Sequence, residues 1–400
     1  MEAFVADWIS LLLRWLHVVA GAAWVGTSFY FVRLNHQLRP PRVPRKGLEG
    51  ELWAVHGGRL YGVGRYAPDP GLLPETLHWF HWEAYATWLS GFSLLVLVYY
   101  LGSEAVLVDA ATSPLGHRSA VAVGIGSLGA SWLVYDWLCR SPLVRSPRAF
   151  AGVGFALGTA LAWLLSQCLS PRAAYVHMGA ALGTLMAANV FRVIIPNQKR
   201  IVAALRAGQA ADPALGAAAA ARSLHNNYLT LPVIFTMIGI HHPVTYGHRF
   251  GWAVLATLCL IGAAVRHHFN LRARGQRNAW LLPAAAAAVV ALGWILLPRA
   301  GTPAGGAKPE EGRVSFAQVR PIIERRCATC HAERPTSEHF PVAPLGVVLE
   351  TPQQIHALAH RIRAFAVESH AMPLGNLTAM SLQERETLSR WIDDGAPIGP

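Results

Sequence analysis

Apolar runs long enough to cross a bilayer recur along most of this chain. They fall at 8–32, 81–101, 119–139, 149–169, 174–195, 228–242, 251–269 and 279–298, each near the length that spans about 30 Å of hydrocarbon. This pattern predicts eight membrane-spanning helices. It changes beyond residue 313. Phe316, Val319, Ile322 and Ile323 recur at helical spacing, and Leu388, Trp391 and Ile392 form a second short stripe, as in small soluble helices with one apolar face. Ser381-Leu382-Gln383-Glu384 has the form of a capping box that starts the last helix. The expected fold class is therefore all-α: a polytopic membrane bundle over 1–298, a Pro-, Gly- and Ala-rich flexible linker over 299–313, and a small all-α domain over 314–400. No repeat is visible beyond the helical alternation.

Composition agrees, with 53% hydrophobic and 14% charged residues and a mean hydropathy of +0.32. The formal charge of +12 sits mostly in alternate loops. Arg33, Arg39, Arg42, Arg45, Lys46, Arg59 and Arg65 follow the first run. Arg140, Arg145 and Arg148 follow the third. Arg192, Lys199, Arg200, Arg206 and Arg222 follow the fifth, and Arg266, Arg272, Arg274 and Arg277 the seventh. The other loops hold only Arg118, Arg172 and Arg249. Under the positive-inside rule this places both termini on the outer, periplasmic side. The basic balance thus reads as topology and gives no footprint for nucleic acid. Glu2 and Asp7 replace the positive start of a cleaved signal.

Cys327-Ala328-Thr329-Cys330-His331 is the pattern of a covalent c-type haem site. Two thiols on one helical turn reach both vinyl groups, and His331 follows as an iron ligand. A zinc or redox Cys-x-x-Cys is the alternative. Met372-Pro373, ahead of the last helix, makes Met372 the expected sixth ligand, with Met380 as its rival. His/Met ligation suits an electron acceptor. Cys139, Cys168 and Cys259 lie in or beside spans and read as packing residues.

Ionisable residues inside a bilayer are costly, and so are functional candidates. One layer faces outward: His17, His177, His241 and His242. A facing pair among His17, His177 and His241 would be a ligand set for a b-type haem. The other layer faces the cytoplasm. It holds His78, Trp79, His81, Trp82 and Glu83 before the second span, and Asn189, Arg192, Asn197 and Gln198 at the end of the fifth. His225-Asn226-Asn227-Tyr228 opens the sixth, and His267-His268-Phe269-Asn270 closes the seventh. Rings, amides and an arginine suit a flat, hydrogen-bonding anion. His81, Glu83, His225 and Asn226 are the candidates for proton removal. His78, Trp82, Arg192, Asn197, Gln198, Asn227, Tyr228 and His267 are the candidates for substrate binding. Interfacial anchoring is the plain alternative for any one of them.

Arg14-Trp15-Leu16-His17-Val18-Val19, continuing through Ala23-Trp24-Val25-Gly26 to Phe29-Tyr30-Phe31, resembles the first span of the membrane-bound bacterial urate oxidases. So do Leu77-His78-Trp79-Phe80-His81-Trp82-Glu83-Ala84-Tyr85, Pro196-Asn197-Gln198, and His225-Asn226-Asn227-Tyr228-Leu229-Thr230-Leu231-Pro232-Val233. The resemblance covers nearly the whole chain, fused cytochrome c included. It implies oxidation of urate to 5-hydroxyisourate in purine degradation. Electrons would pass to the chain's own c-type haem and on to a respiratory-chain acceptor, a cytochrome c or a terminal oxidase. It also implies the bacterial inner membrane and its lipid bilayer as the setting. The first span is similar, too, to those of membrane protoporphyrinogen oxidases and copper-resistance proteins. In the former, the histidine matching His17 is regarded as a haem ligand. A second class is a quinol-to-cytochrome c module anchored by a b-type haem. A copper-handling protein would need more sulfur than 6 Met and 5 Cys.

Overall fold

A computed structural model describes residues 2–109, 113–297, 314–338, 340 and 342–399. The expected linker at 299–313 lies outside the described residues. The chain is mostly helical. α1 runs Glu2–Gln37, α2 Trp82–Leu95, α3 Glu104–Leu107, α4 His117–Arg140, α5 Pro147–Cys168, α6 Pro171–Ala188 and α7 Ile195–Arg206. α8 (Pro213–Gly239), α9 (Pro243–Tyr246), α10 (Gly251–Ala273) and α11 (Leu281–Ile295) complete the bundle. Single π-helical segments extend α2 over Val96–Tyr100 and join α6 to α7 over Asn189–Ile194.

Five stretches are long and apolar enough to cross a membrane: Phe4–Gln37, His117–Arg140, Pro147–Cys168, Pro171–Arg206 and Gly251–Ala273. The other three expected spans fall on shorter or more polar helices. α2 has 14 residues before its π segment, and α11 has 15. The run at 228–242 turns out to be the second half of a 27-residue helix. Asp212 caps that helix through the Ala214 N–H, Pro213 takes its first turn, and alanines 217–221 favour its extension. His225 to Tyr228 therefore lie in mid-helix rather than at its opening.

A second correction concerns the loop after α1. Leu48–His56 (β1) pairs antiparallel with Arg59–Tyr66 (β2), so the described chain is not purely α. Gly57 and Gly58 form the turn at φ +57° and +73°, a conformation that glycine adopts without a Cβ clash.

α6 is the most buried helix of the bundle, with Ala173, Ala174, Tyr175, His177, Met178, Ala181 and Leu182 all enclosed. Small residues let its neighbours close in. A Cβ on Gly124 of α4 would fall 2.6 Å from the His177 ring. Large apolar side chains on the rim point away from this core, among them Trp15, Val18, Leu133, Trp137, Trp163 and Trp294. An outward-facing apolar rim on long helices is the arrangement expected of a protein solvated by lipid.

Residues 314–399 build a second core. α12 (Phe316–Arg326), α13 (Pro352–Ala357), α14 (Ala359–Ile362) and α15 (Leu382–Asp393) enclose Val319, Ile323, Ile355, Leu388 and Trp391. Ser381 and Glu384 close the expected capping box, and Ser315 with Gln318 forms another on α12. Leu388 is fully enclosed. Leu388→Ala should therefore cost about 2–5 kcal/mol, seen as a lower thermal midpoint of the C-terminal unit by circular dichroism. A change of less than about 1 kcal/mol would mean that this core does not carry the unit's stability.

Candidate functional site

Successive residues on a helix point about 100° apart, so the run Arg222 to Tyr228 on α8 reaches several neighbours at once. Arg222 and His225 face α4. The Arg222 guanidinium donates to Asp136 Oδ1 at 2.6 Å and to Asn189 Oδ1 at 3.1 Å, and lies over the Tyr135 ring at 4.9 Å. His225 pairs through Nδ1 with the Tyr135 hydroxyl at 2.8 Å and stacks on Phe150 at 4.8 Å. Asn226 faces α6. Its Oδ1 accepts from Asn189 Nδ2 at 2.8 Å, and its Nδ2 donates to the Met186 carbonyl at 2.9 Å. This side of α8 is a closed network in which the polar groups satisfy one another.

Asn227 faces the other way, toward α10 and α1. Its Oδ1 accepts from Arg266 Nε and from Asn270 Nδ2, both at 2.9 Å. The remaining halves of the two amides, Asn227 Nδ2 and Asn270 Oδ1, are buried and have no partner. Unpaired buried amide groups carry a desolvation cost of about 1–3 kcal/mol each, so they ask for an explanation. Arg266 lies flat over the Phe29 ring at 3.9 Å. Arg266 and Asn270 line a cavity of about 480 Å³, together with Phe29, Arg33, Gln37 and Phe269. A guanidinium, an amide and aromatic faces therefore meet at the cavity, and Asn227 is hydrogen-bonded to two of its lining residues.

The other expected site residues are more dispersed. His81 rests on Tyr85 at 5.1 Å and on Trp82 at 5.4 Å, and Trp82 itself is exposed. Exposed His78 packs on Phe80, which packs on Phe31 of α1. Glu83 is half-buried in the first turn of α2. Arg192 and Gln198 are exposed, and Asn197 donates to the Leu215 carbonyl at 3.2 Å, tying α7 to α8. Tyr228 pairs with exposed His267 Nδ1 at 2.7 Å.

The outer histidines stand in three separate environments. His17 Nδ1 bonds the Thr87 carbonyl at 2.9 Å. A carbonyl only accepts, so Nδ1 carries the proton and Nε2 keeps its lone pair. His177 bonds the Ala173 carbonyl through Nδ1 and the Tyr100 hydroxyl through Nε2, at 2.8 and 3.0 Å, which commits both ring nitrogens inside the protein. His241 is exposed beyond the end of α8.

In the C-terminal unit, the N–H groups of Cys330 and His331 both bond the Cys327 carbonyl, at 3.1 and 2.9 Å. This turn sets the two thiols and the imidazole in succession. His331 Nδ1 bonds the Val347 carbonyl at 3.0 Å, which again leaves Nε2 unprotonated and fit to ligate iron. Met372 packs against the unit's core, and Met380 is buried within it. Among the described residues, no three His, Cys, Asp or Glu side chains group to hold a metal ion; a haem held by two thioethers, an imidazole and a methionine needs no such group.

A family model described as urate oxidase, N-terminal, matches residues 3–297. The chain belongs to this family. Curated proteins and solved structures give no match. The whole bundle, cavity included, thus falls within the urate oxidase N-terminal region. Of the substrate residues expected from sequence, Asn227 does not line the cavity but is hydrogen-bonded to two residues that do, Arg266 and Asn270. Asn270 was expected only as part of the cytoplasmic polar layer, and Arg266 only as a loop charge. Their signal was spacing: Arg266 and Asn270 are four apart, so they share one face of α10.

The closed network and the exposed arginine beside it should respond differently to mutation. Asp136→Asn strands the buried Arg222 charge and should cost about 3–5 kcal/mol. Arg140 also pairs with Asp136, but its side chain is 76% exposed, so Arg140→Ala should cost no more than about 1 kcal/mol. Thermal unfolding of the detergent-solubilised variants measures both, and equal effects would remove the network from its structural role.

Proposed function

We propose that this protein is a urate-oxidising enzyme of the bacterial inner membrane, with eight spans, both termini periplasmic and a C-terminal c-type cytochrome. Family membership supports the urate-oxidase-related part of this reading. The cavity lined by Arg266, Asn270, Phe29 and Phe269, with Asn227 bonded to the first two, is the observation that carries the substrate. Urate is a flat anion whose rim alternates N–H and C=O groups. The Asn270 amide, backed by Asn227, suits such a rim, Arg266 offers charge, and Phe29 and Phe269 offer faces for stacking. By the distribution of basic loops, this cavity opens toward the cytoplasm.

Urate and water give 5-hydroxyisourate, two electrons and two protons. The protons need a base; His267, expected from sequence to bind substrate, pairs with Tyr228 and follows Arg266 on α10, and is added here as a candidate. His81, Glu83 and His225 remain candidates on neighbouring helices. Cys327, Cys330, His331 and Met372 would hold the c-type haem. Once bound, that haem accepts single electrons and passes them to a respiratory-chain acceptor. A b-type haem between the two ends would take His17, whose Nε2 is free, before His177, whose nitrogens are both engaged.

The test is anaerobic addition of urate to oxidised, purified holoprotein while the c-haem absorption is followed. Reduction at a rate that saturates with urate is expected. Arg266→Ala should lower kcat/KM about 10- to 100-fold, the loss of a charge-assisted hydrogen bond of roughly 1.5–3 kcal/mol, while ascorbate still reduces the haem as in the wild type. Reduction by a quinol but not by urate would overturn the reading in favour of an electron-transfer module.

A further inference from the structure

The loop carrying Met372 does not stand free of the bundle. Ala371 packs against the bundle's own core. At Gly375 a Cβ would fall 2.7 Å from the Ala105 carbonyl oxygen and 2.8 Å from its Cα. Only a residue without a side chain lets the loop lie this close to α3. A second tight contact lies at Gly247, just beyond α9, where a Cβ would fall 2.7 Å from the Ser369 Cα. Two side-chain-free contacts at the two ends of one short loop describe a fitted surface.

A cavity of about 940 Å³ adjoins these contacts, and Asp109, Tyr246, Arg249, His370 and Arg385 are among its walls. Asp109 and Arg385 are both largely buried, at 8% and 5% exposure. The Arg385 guanidinium donates to the carbonyl oxygens of Ala366 and Met372, the latter at 2.8 Å, and reaches Asn376 Oδ1 at 3.4 Å. It therefore grips the loop before, at and after Met372. Burial works against the charge on Arg385, and the Asp109 carboxylate, which comes from the bundle and lines the same cavity, works in its favour. Charge complementarity thus runs across the junction between the two cores.

We propose that the end of the bundle formed by α3, Asp109 and the α9 turn is the docking face for the 369–376 loop, and that electrons enter the cytochrome unit through this loop. Arg385 is the positioning residue that links Asp109 to the Met372 backbone. The proposal rests on the urate and c-type haem reading above. Electron transfer weakens steeply with distance, so a closely packed edge is the efficient point of entry, and the opposite face of the unit stays open to the acceptor.

The full-length holoprotein carrying Gly247→Leu tests this. Gly247 has an ordinary φ of −80°, and a side chain there meets Ser369 first, with the Pro243 carbonyl oxygen of its own turn at 2.8 Å. Backbone hydrogen exchange over 369–376 should rise in the variant. Urate-driven haem reduction should slow at least about tenfold, and reduction by ascorbate should not change. Asp109→Lys, which faces Arg385 with a like charge, should act in the same direction and serves where Gly247→Leu does not fold. Unchanged exchange in a folded variant overturns the docking face. Released exchange with an unchanged urate-driven rate overturns the entry route. If urate does not reduce even the wild-type haem, the substrate reading fails, and the exchange contrast alone decides the docking face.

Discussion

A polar group placed among apolar helices must find a partner, and α8 is where this bundle meets that demand. Its polar run would be costly on a helix facing lipid. Here Arg222 and His225 turn to α4 and α5, Asn226 turns to α6, and Asn227 turns to α10. Each bond fixes the rotation of α8 against a different neighbour. The apolar contacts around them tolerate sliding; a network of this kind does not. The register of the central helices therefore follows from the hydrogen-bonding geometry of four side chains within two turns of one element.

The two faces of α8 differ in one respect that bears on chemistry. Toward α4 and α6 the network is closed, and the Asn189–Asn226 pair spends its hydrogen bonds inside the protein. Toward α1 and α10 it is left open, because Asn227 and Asn270 satisfy only half of each amide. The six polar side chains on the closed side, Tyr135, Asp136, Asn189, Arg222, His225 and Asn226, pair among themselves. On the proposed reading, the unpaired amide groups next to Arg266 would set a recognition surface against a rigid wall, where little reorganisation is needed on binding.

Helix periodicity made most of the long helices legible in the sequence, and the positions of their polar layers followed. What it obscured were the places where tertiary contact overrides local pattern. α8 reads as starting near residue 228 because Arg222, His225 and Asn226 precede the apolar run; they are helical because neighbouring helices partner them. The hairpin at Leu48–Tyr66 was signalled by Gly57-Gly58 between short alternating runs, a cue hidden by the surrounding arginines and prolines. In the site, Asn227 was visible from its motif. Arg266 read as a topological charge, since sequence does not show that it lies over Phe29 and not in headgroups. The expectation of a c-type haem is local, resting on the five residues from Cys327 to His331.

On the proposed reading, a route between the two ends would depend on which histidines keep a free nitrogen. Tautomers here are fixed by carbonyls: Thr87 takes the Nδ1 proton of His17, Ala173 that of His177, and Val347 that of His331. All three imidazoles therefore present Nε2 as the available atom. Tyr100 occupies that atom in His177, and Gly124 closes the space behind it. His17 sits over Gly91, where a Cβ would fall 2.7 Å from its Cε1, so its ring is held in place from one side while Nε2 stays unspent. On the reading proposed here, oriented imidazoles of this kind mark where a redox centre is held, and the fully bonded His177 marks where the bundle is only braced.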